Sequence, residues 1–153
     1  QILSTTLETY PELKIHLSAW SGNPEHMLSF CKAFPTLTIG LDSSLTFQKA
    51  KHLHECAFEL DLSRLVLETN SVIPSQVANR MGRDAFSHPG LIPFIATAVA
   101  KHSKYHPNST VDKDDLDGGD ANDYAALEVA RKTAFAAVAL YPLLAKVSST
   151  CSC

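Results

Sequence analysis

The sequence has no apolar run approaching the roughly 18 residues that a membrane-spanning helix requires. Its start does not join a basic segment to an apolar stretch and a cleavage site. No membrane association is therefore expected, and the expected setting is intracellular, cytoplasmic or nuclear. Positive charge is not in surplus: 13 Lys and Arg stand against 16 Asp and Glu, a net charge of −3. No global field would hold nucleic acid, and any such binding needs a local basic patch. Cysteine is scarce as well, and four scattered residues are too few for a disulfide scaffold. Cys31 and Cys56 fall in amphipathic segments and read as small buried thiols. The terminal Cys151-Ser152-Cys153 lacks the second ligand pair of a closed tetrahedral zinc site. The first residue is Gln1 rather than Met, from which a partial or processed chain is expected.

What is present is the composition of one globular unit: 153 residues, 45% hydrophobic and 19% charged. Residues 1–10 suit a short helix ended near Pro11. Lys14 to Ala19 then alternates Ile15, Leu17 and Ala19 against His16 and Ser18, the period of a strand with one polar face. Asn23 is placed to cap a helix opened by Pro24 and running to about Ala33. Leu37 to Leu41 reads as a second strand. Helical spacing of Phe47, Ala50, Leu53, Ala57 and Phe58 predicts a helix over about 46–60. Leu65-Val66-Leu67 within Leu62 to Thr69 gives a third strand. A long irregular stretch is expected from Asn70 to Gly90, then a helix from Leu91 to Lys104 with Pro93 in its first turn, and an alanine-rich helix from Ala125 to Leu140. Strands alternating with helices predict parallel pairing.

Several polar clusters invite chemical readings. The run Asp112, Asp114, Asp115, Asp117, Asp120 with Gly118 and Gly119 resembles a calcium loop, but its first position would be Lys113 and its bidentate position Tyr124, which leaves a solvated acidic loop over 105–121. Asn108-Ser109-Thr110 matches a glycosylation sequon without a secretory signal beside it. His52 and His54, two apart on a helix, point to different sides and do not chelate one ion. His16 and Ser18, two apart on a strand, share a face.

Three segments, in order, carry a family resemblance. Ile15-His16-Leu17-Ser18-Ala19-Trp20-Ser21-Gly22-Asn23-Pro24-Glu25 resembles the His-Cys-Phe-Ser-Gly strand end and following helix of TatD-family metal-dependent deoxyribonucleases. Thr38-Ile39-Gly40-Leu41-Asp42-Ser43-Ser44-Leu45-Thr46 is similar to that family's next strand. Leu60-Asp61-Leu62-Ser63-Arg64-Leu65-Val66-Leu67-Glu68-Thr69-Asn70-Ser71 is similar to its Glu-Thr-Asp-Ser-Pro strand. Ser87-His88-Pro89-Gly90 resembles a loop of animal TatD-domain proteins. The resemblance implies an α/β fold that is part of a TIM (β/α)₈ barrel, about its last three βα units plus C-terminal helices. It assigns 1–104 to the C-terminal part of the barrel, 105–121 to an acidic loop, 122–145 to the terminal helix of the same domain and 146–153 to a tail.

The family's chemistry is divalent-metal hydrolysis of DNA phosphodiesters, with Mg²⁺ or Mn²⁺, or else Zn²⁺, held at the strand ends. Carried onto this chain, one ligand histidine falls on Ser18, with His16 two residues earlier on the same face, and the late aspartate falls on Asn70. Glu68 and Thr69 would support that strand end. An amide holds a hard cation poorly and does not act as a general base, so the resemblance implies a hydrolase lineage with a degenerate site in this chain. DNA, and the missing barrel half or another copy, are the partners it implies. Two rival readings remain: a non-catalytic TatD-like protein kept for binding or assembly, and a small α/β binding domain unrelated to nucleases.

Overall fold

The computed structural model describes residues 2–82, 85–104 and 121–141. The aspartate run, the Asn108 sequon, the terminal cysteines and the 146–153 tail lie outside the described residues.

Three short strands, β1 (Ile15–Leu17), β2 (Leu37–Leu41) and β3 (Leu65–Leu67), pair in parallel in the order β1-β2-β3. The register sets His16 beside Thr38 and Gly40 beside Val66. Because side chains alternate along a strand, Ile15, Leu17, Leu37, Ile39, Leu41, Leu65 and Leu67 share one face. His16, Thr38, Gly40 and Val66 share the other.

The apolar face is covered by helices. Between the strands run α2 (Pro24–Ala33) and α3 (Lys51–Glu59). After β3 come α4 (Ser75–Met81), α5 (Ile92–His102) and α6 (Ala121–Leu140), and α1 (Ile2–Thr9) precedes the sheet. Met27, Leu53, Cys56, Ala57, Ala96, Val99 and Val129 join the strand residues in one core cluster. Leu37, Ile39, Leu41 and Leu65 are almost wholly buried, and each such side chain contributes roughly 1.5–3 kcal/mol of transfer free energy. Consecutive parallel strands with crossover helices on one face make an α/β architecture consistent with a segment of a (β/α)₈ barrel.

Local signals set the element ends. Asn23 Oδ1 accepts the His26 amide at 2.9 Å and Pro24 fills the first helical position. Asn23→Ala is expected to cost about 1 kcal/mol. A urea transition read by circular dichroism checks this, and an unmoved midpoint would mean that the cap bond adds nothing.

Two expectations are corrected. The helix expected over 46–60 is present as α3 but starts only at Lys51, after a 3₁₀ turn at Ser43–Thr46. The Thr46 carbonyl and hydroxyl are taken by Ser75, at 2.7 and 2.8 Å, so they are committed outside the helix. The buried stripe of α3 is accordingly Leu53, Cys56 and Ala57, while Phe47 and Phe58 are exposed. The irregular stretch from Asn70 to Gly90 contains α4 and a 3₁₀ turn at Pro89–Leu91. Of its residues α4 buries Val77, too little apolar periodicity to announce a helix. Cys56 is fully buried and Cys31 half-buried, both as free thiols, and burial raises the pKa of each.

The long helix α6 packs along α5 and the edge strand β3. Ala125 and Val129 enter the common core. Its last turn reaches the polar side of the sheet, where Lys14 Nζ bonds the Ala139 carbonyl and Tyr141, just past the helix, meets His16.

Candidate functional site

The carboxyl ends of the strands, where barrel enzymes place their chemistry, gather two polar clusters. The first centres on Glu68, the residue after β3. Its carboxylate passes over β2 at Gly40, where any Cβ would overlap the carboxylate carbon and both oxygens. It therefore reaches β1. Oε2 accepts the Ala19 amide at 2.7 Å and the Ser18 hydroxyl at 3.0 Å, and Oε1 lies 2.7 Å from His16 Nε2. The last contact has the separation of an ion pair, which it becomes only when the imidazole is protonated, and it lacks the alignment of a hydrogen bond. The His16 and Glu68 side chains are 16% and 14% exposed. The other ring nitrogen, Nδ1, meets the Tyr141 hydroxyl at 2.7 Å, with the two rings edge to face.

Two backbone details fit this arrangement. Ala19 has φ +49°, an uncommon conformation for a residue with a side chain, and its amide is the one held by Glu68. The next amide, Trp20, bonds the Gly40 carbonyl at 2.9 Å. The carboxylate thus clamps the turn at the end of β1.

The second cluster joins Asn70 to Asp42, which follows β2. Asn70 Nδ2 donates to Asp42 Oδ2, Asp42 Oδ1 accepts the Ser44 amide at 2.8 Å, and Asn70 Oδ1 accepts the Val72 amide at 2.9 Å. Asp42 is buried. An amide suits this place because its N–H₂ satisfies the buried carboxylate; an aspartate here would set two negative charges in contact.

Of the residues singled out from sequence, His16, Ser18 and Glu68 meet in one cluster. Asn70 belongs to the neighbouring one, and Thr69 lies half-buried between. Sequence reasoning missed the roles of Gly40, Asp42 and Tyr141. The first two stand in the recognisable Gly40-Leu41-Asp42 segment, while Tyr141 carries no local signal.

The donor set does not suit a divalent ion. His16 Nδ1 and Glu68 Oε2 are in hydrogen-bonding contact inside the protein, His16 Nε2 and Glu68 Oε1 are turned onto each other, and Asn70 turns its donor face to Asp42. Among the described residues no three His, Cys, Asp or Glu side chains are grouped to hold a metal. No helix among them is long and apolar enough to cross a membrane.

Fold and site together define an α/β segment of barrel type whose strand-end polar groups are tied to one another. No protein-family model matches the chain. It is similar to the human 3'-5' RNA nuclease TATDN2, with 27% identity over 93 residues, which is 60% of this chain and 12% of that protein. The chain matches a small fraction of its relative's length, and the likeness supports a relation to TatD-type nucleases.

Proposed function

We propose that this chain is a TatD-type nuclease segment in which the ends of β1 and β3 serve architecture rather than hydrolysis. In the longer proteins of that type, residues outside this segment would supply the metal-dependent cleavage of nucleic acid. The observation that carries the reading is the closure of the cluster: the Glu68 carboxylate is turned onto His16, the Ser18 hydroxyl and the Ala19 amide, and His16 Nδ1 onto Tyr141, so a metal or an attacking water would have to displace contacts within the fold. Ser18 and Asn70 stand where the resemblance would put a histidine and an aspartate. Neither restores a ligand set, since Ser18 donates to Glu68 and Asn70 donates to Asp42.

Cleavage of end-labelled RNA and DNA, single- and double-stranded, with Mg²⁺ or Mn²⁺ tests this directly. The 153-residue chain is expected to leave all substrates intact, and Asn70→Asp alone is expected to restore nothing. The longest native polypeptide is expected to cut one of them. Cleavage by the present chain that EDTA abolishes would overturn the architectural reading. RNA is included because the relative is an RNA nuclease; DNA is included because the resemblance in sequence is to deoxyribonucleases.

A further inference from the structure

A separate cavity of about 290 Å³ opens beside the end of β2, between α3 and α5. Its lining is one-sided in charge. Lys51 and His54 enter from α3 and Lys101 and His102 from α5, while the turn after β2 and α4 contribute Leu45, Thr46, Gln48 and Gln76. Four basic groups thus face one space with no carboxylate among the lining residues, on a chain whose net charge is −3. Such a local reversal concentrates anions. Thr46, Gln48, Gln76 and Thr97 add neutral hydrogen-bonding groups to the walls.

The two imidazoles lie face to face, centroids 3.7 Å apart and 4° from parallel. His54 Nε2 is 2.9 Å from the Leu45 carbonyl. A carbonyl only accepts, so Nε2 carries a proton and Nδ1 is the atom left to gain one. Burial above all, then His54 and Lys101, lowers the pKa of His102. Two stacked rings cannot both be charged cheaply unless an anion sits against them.

The geometry points to a binding site for a phosphate dianion in this cavity, either free or at the end of a nucleotide chain. The site shares no lining residue with the Glu68 and Asn70 clusters and does not rest on the nuclease reading. Lys51 and Lys101 supply standing charge, and His102, stacked on His54, supplies charge on demand. Binding and protonation are therefore linked: anion affinity rises as pH falls through the depressed His102 pKa, and the bound anion raises that pKa in turn. The facing charged groups are Lys51 on α3 and Lys101 on α5, both cationic, so they act with the anion and against protonation of the empty pair.

Proton NMR of the imidazole C–H resonances during titration with inorganic phosphate, repeated with sulfate to remove the ligand's own titration, tests the site. His54 and His102 are expected to shift together and saturably. The Lys51→Gln/Lys101→Gln chain, altered only at exposed positions, is expected to bind at least about tenfold more weakly. Sulfate affinity is expected to fall as pH rises through the His102 titration. Shifts that fail to saturate, or an affinity unchanged in the double variant, would overturn the proposal. A 5'-phosphorylated dinucleotide that binds where its dephosphorylated form does not would assign a terminal phosphate. Binding of inorganic phosphate alone would assign the free anion, and the site stands in both cases.

Discussion

Gly40→Ala is expected to destabilise the protein by about 3 kcal/mol, the upper end of the usual cost of overpacking a filled interior. That lowers the thermal midpoint by roughly 6–12 °C in a chain of this size. The reason is local. Residue 40 is the fourth of the five residues of β2, paired with Val66 of β3 and bonded through its carbonyl to the Trp20 amide beyond β1, and a methyl group there would occupy the space of the Glu68 carboxylate. Either β2 moves away from its neighbours or Glu68 withdraws, and withdrawal strips the Ala19 amide and the Ser18 hydroxyl of their shared acceptor and His16 of its neighbouring carboxylate. A double-mutant cycle isolates the cause. With Glu68→Ala already in place the space is free, and Gly40→Ala is then expected to cost at least about 1 kcal/mol less than in the parent. Equal costs in both backgrounds would show that Gly40 answers to backbone conformation rather than to the crossing carboxylate.

Arg64 is the second position with a large expected effect. Its guanidinium reaches three carbonyl oxygens: Leu37 at 2.9 Å, Cys31 at 2.9 Å and Phe34 at 2.7 Å. Cys31 and Phe34 end α2 and Leu37 begins β2, so one side chain from the turn before β3 holds the link between them. Arg64→Met keeps the apolar stem and removes the donors. Hydrogen bonds from a charged group contribute about 1.5–3 kcal/mol each, part of which the freed carbonyls recover from water. A net loss of about 3 kcal/mol is expected in chemical denaturation. Arg64→Lys should recover less than half of it, because an ammonium on a single stem cannot match a planar fork aimed at three acceptors. Full stability in the lysine variant would reduce the role of Arg64 to its charge.

Much of the fold could be read from the chain because the relevant signals are local. Asn23-Pro24 opens α2 where cap chemistry places it, and Leu37 to Leu41 and Leu65 to Leu67 are strands as their apolar runs require. Parallel pairing followed from alternation of element types. The failures are tertiary. Nothing near Thr46 announces that Ser75, 29 residues on, takes its carbonyl and ends any helix there. The apolar stripe that includes Phe47 and Phe58 is real as a pattern, yet the core closed over Cys56 instead. At the site, the shared face of His16 and Ser18 follows from strand period alone. Their common partner does not, because Glu68 is 50 residues from Ser18 and arrives only through the gap at Gly40. The histidine stack, between residues 54 and 102, is invisible to any local reading.

The lengths of the outer strands bear on solubility. Among the described residues β1 and β3 border the sheet, and each is three residues long. A foreign strand laid against either border could form about two ladder bonds, together worth about 2 kcal/mol. Bringing two molecules together costs at least about 4 kcal/mol in lost freedom. Edge pairing alone therefore loses, and the sheet is a poor template for stacking copies into fibres. Any chain that extends it must bring an apolar surface or further strands of its own.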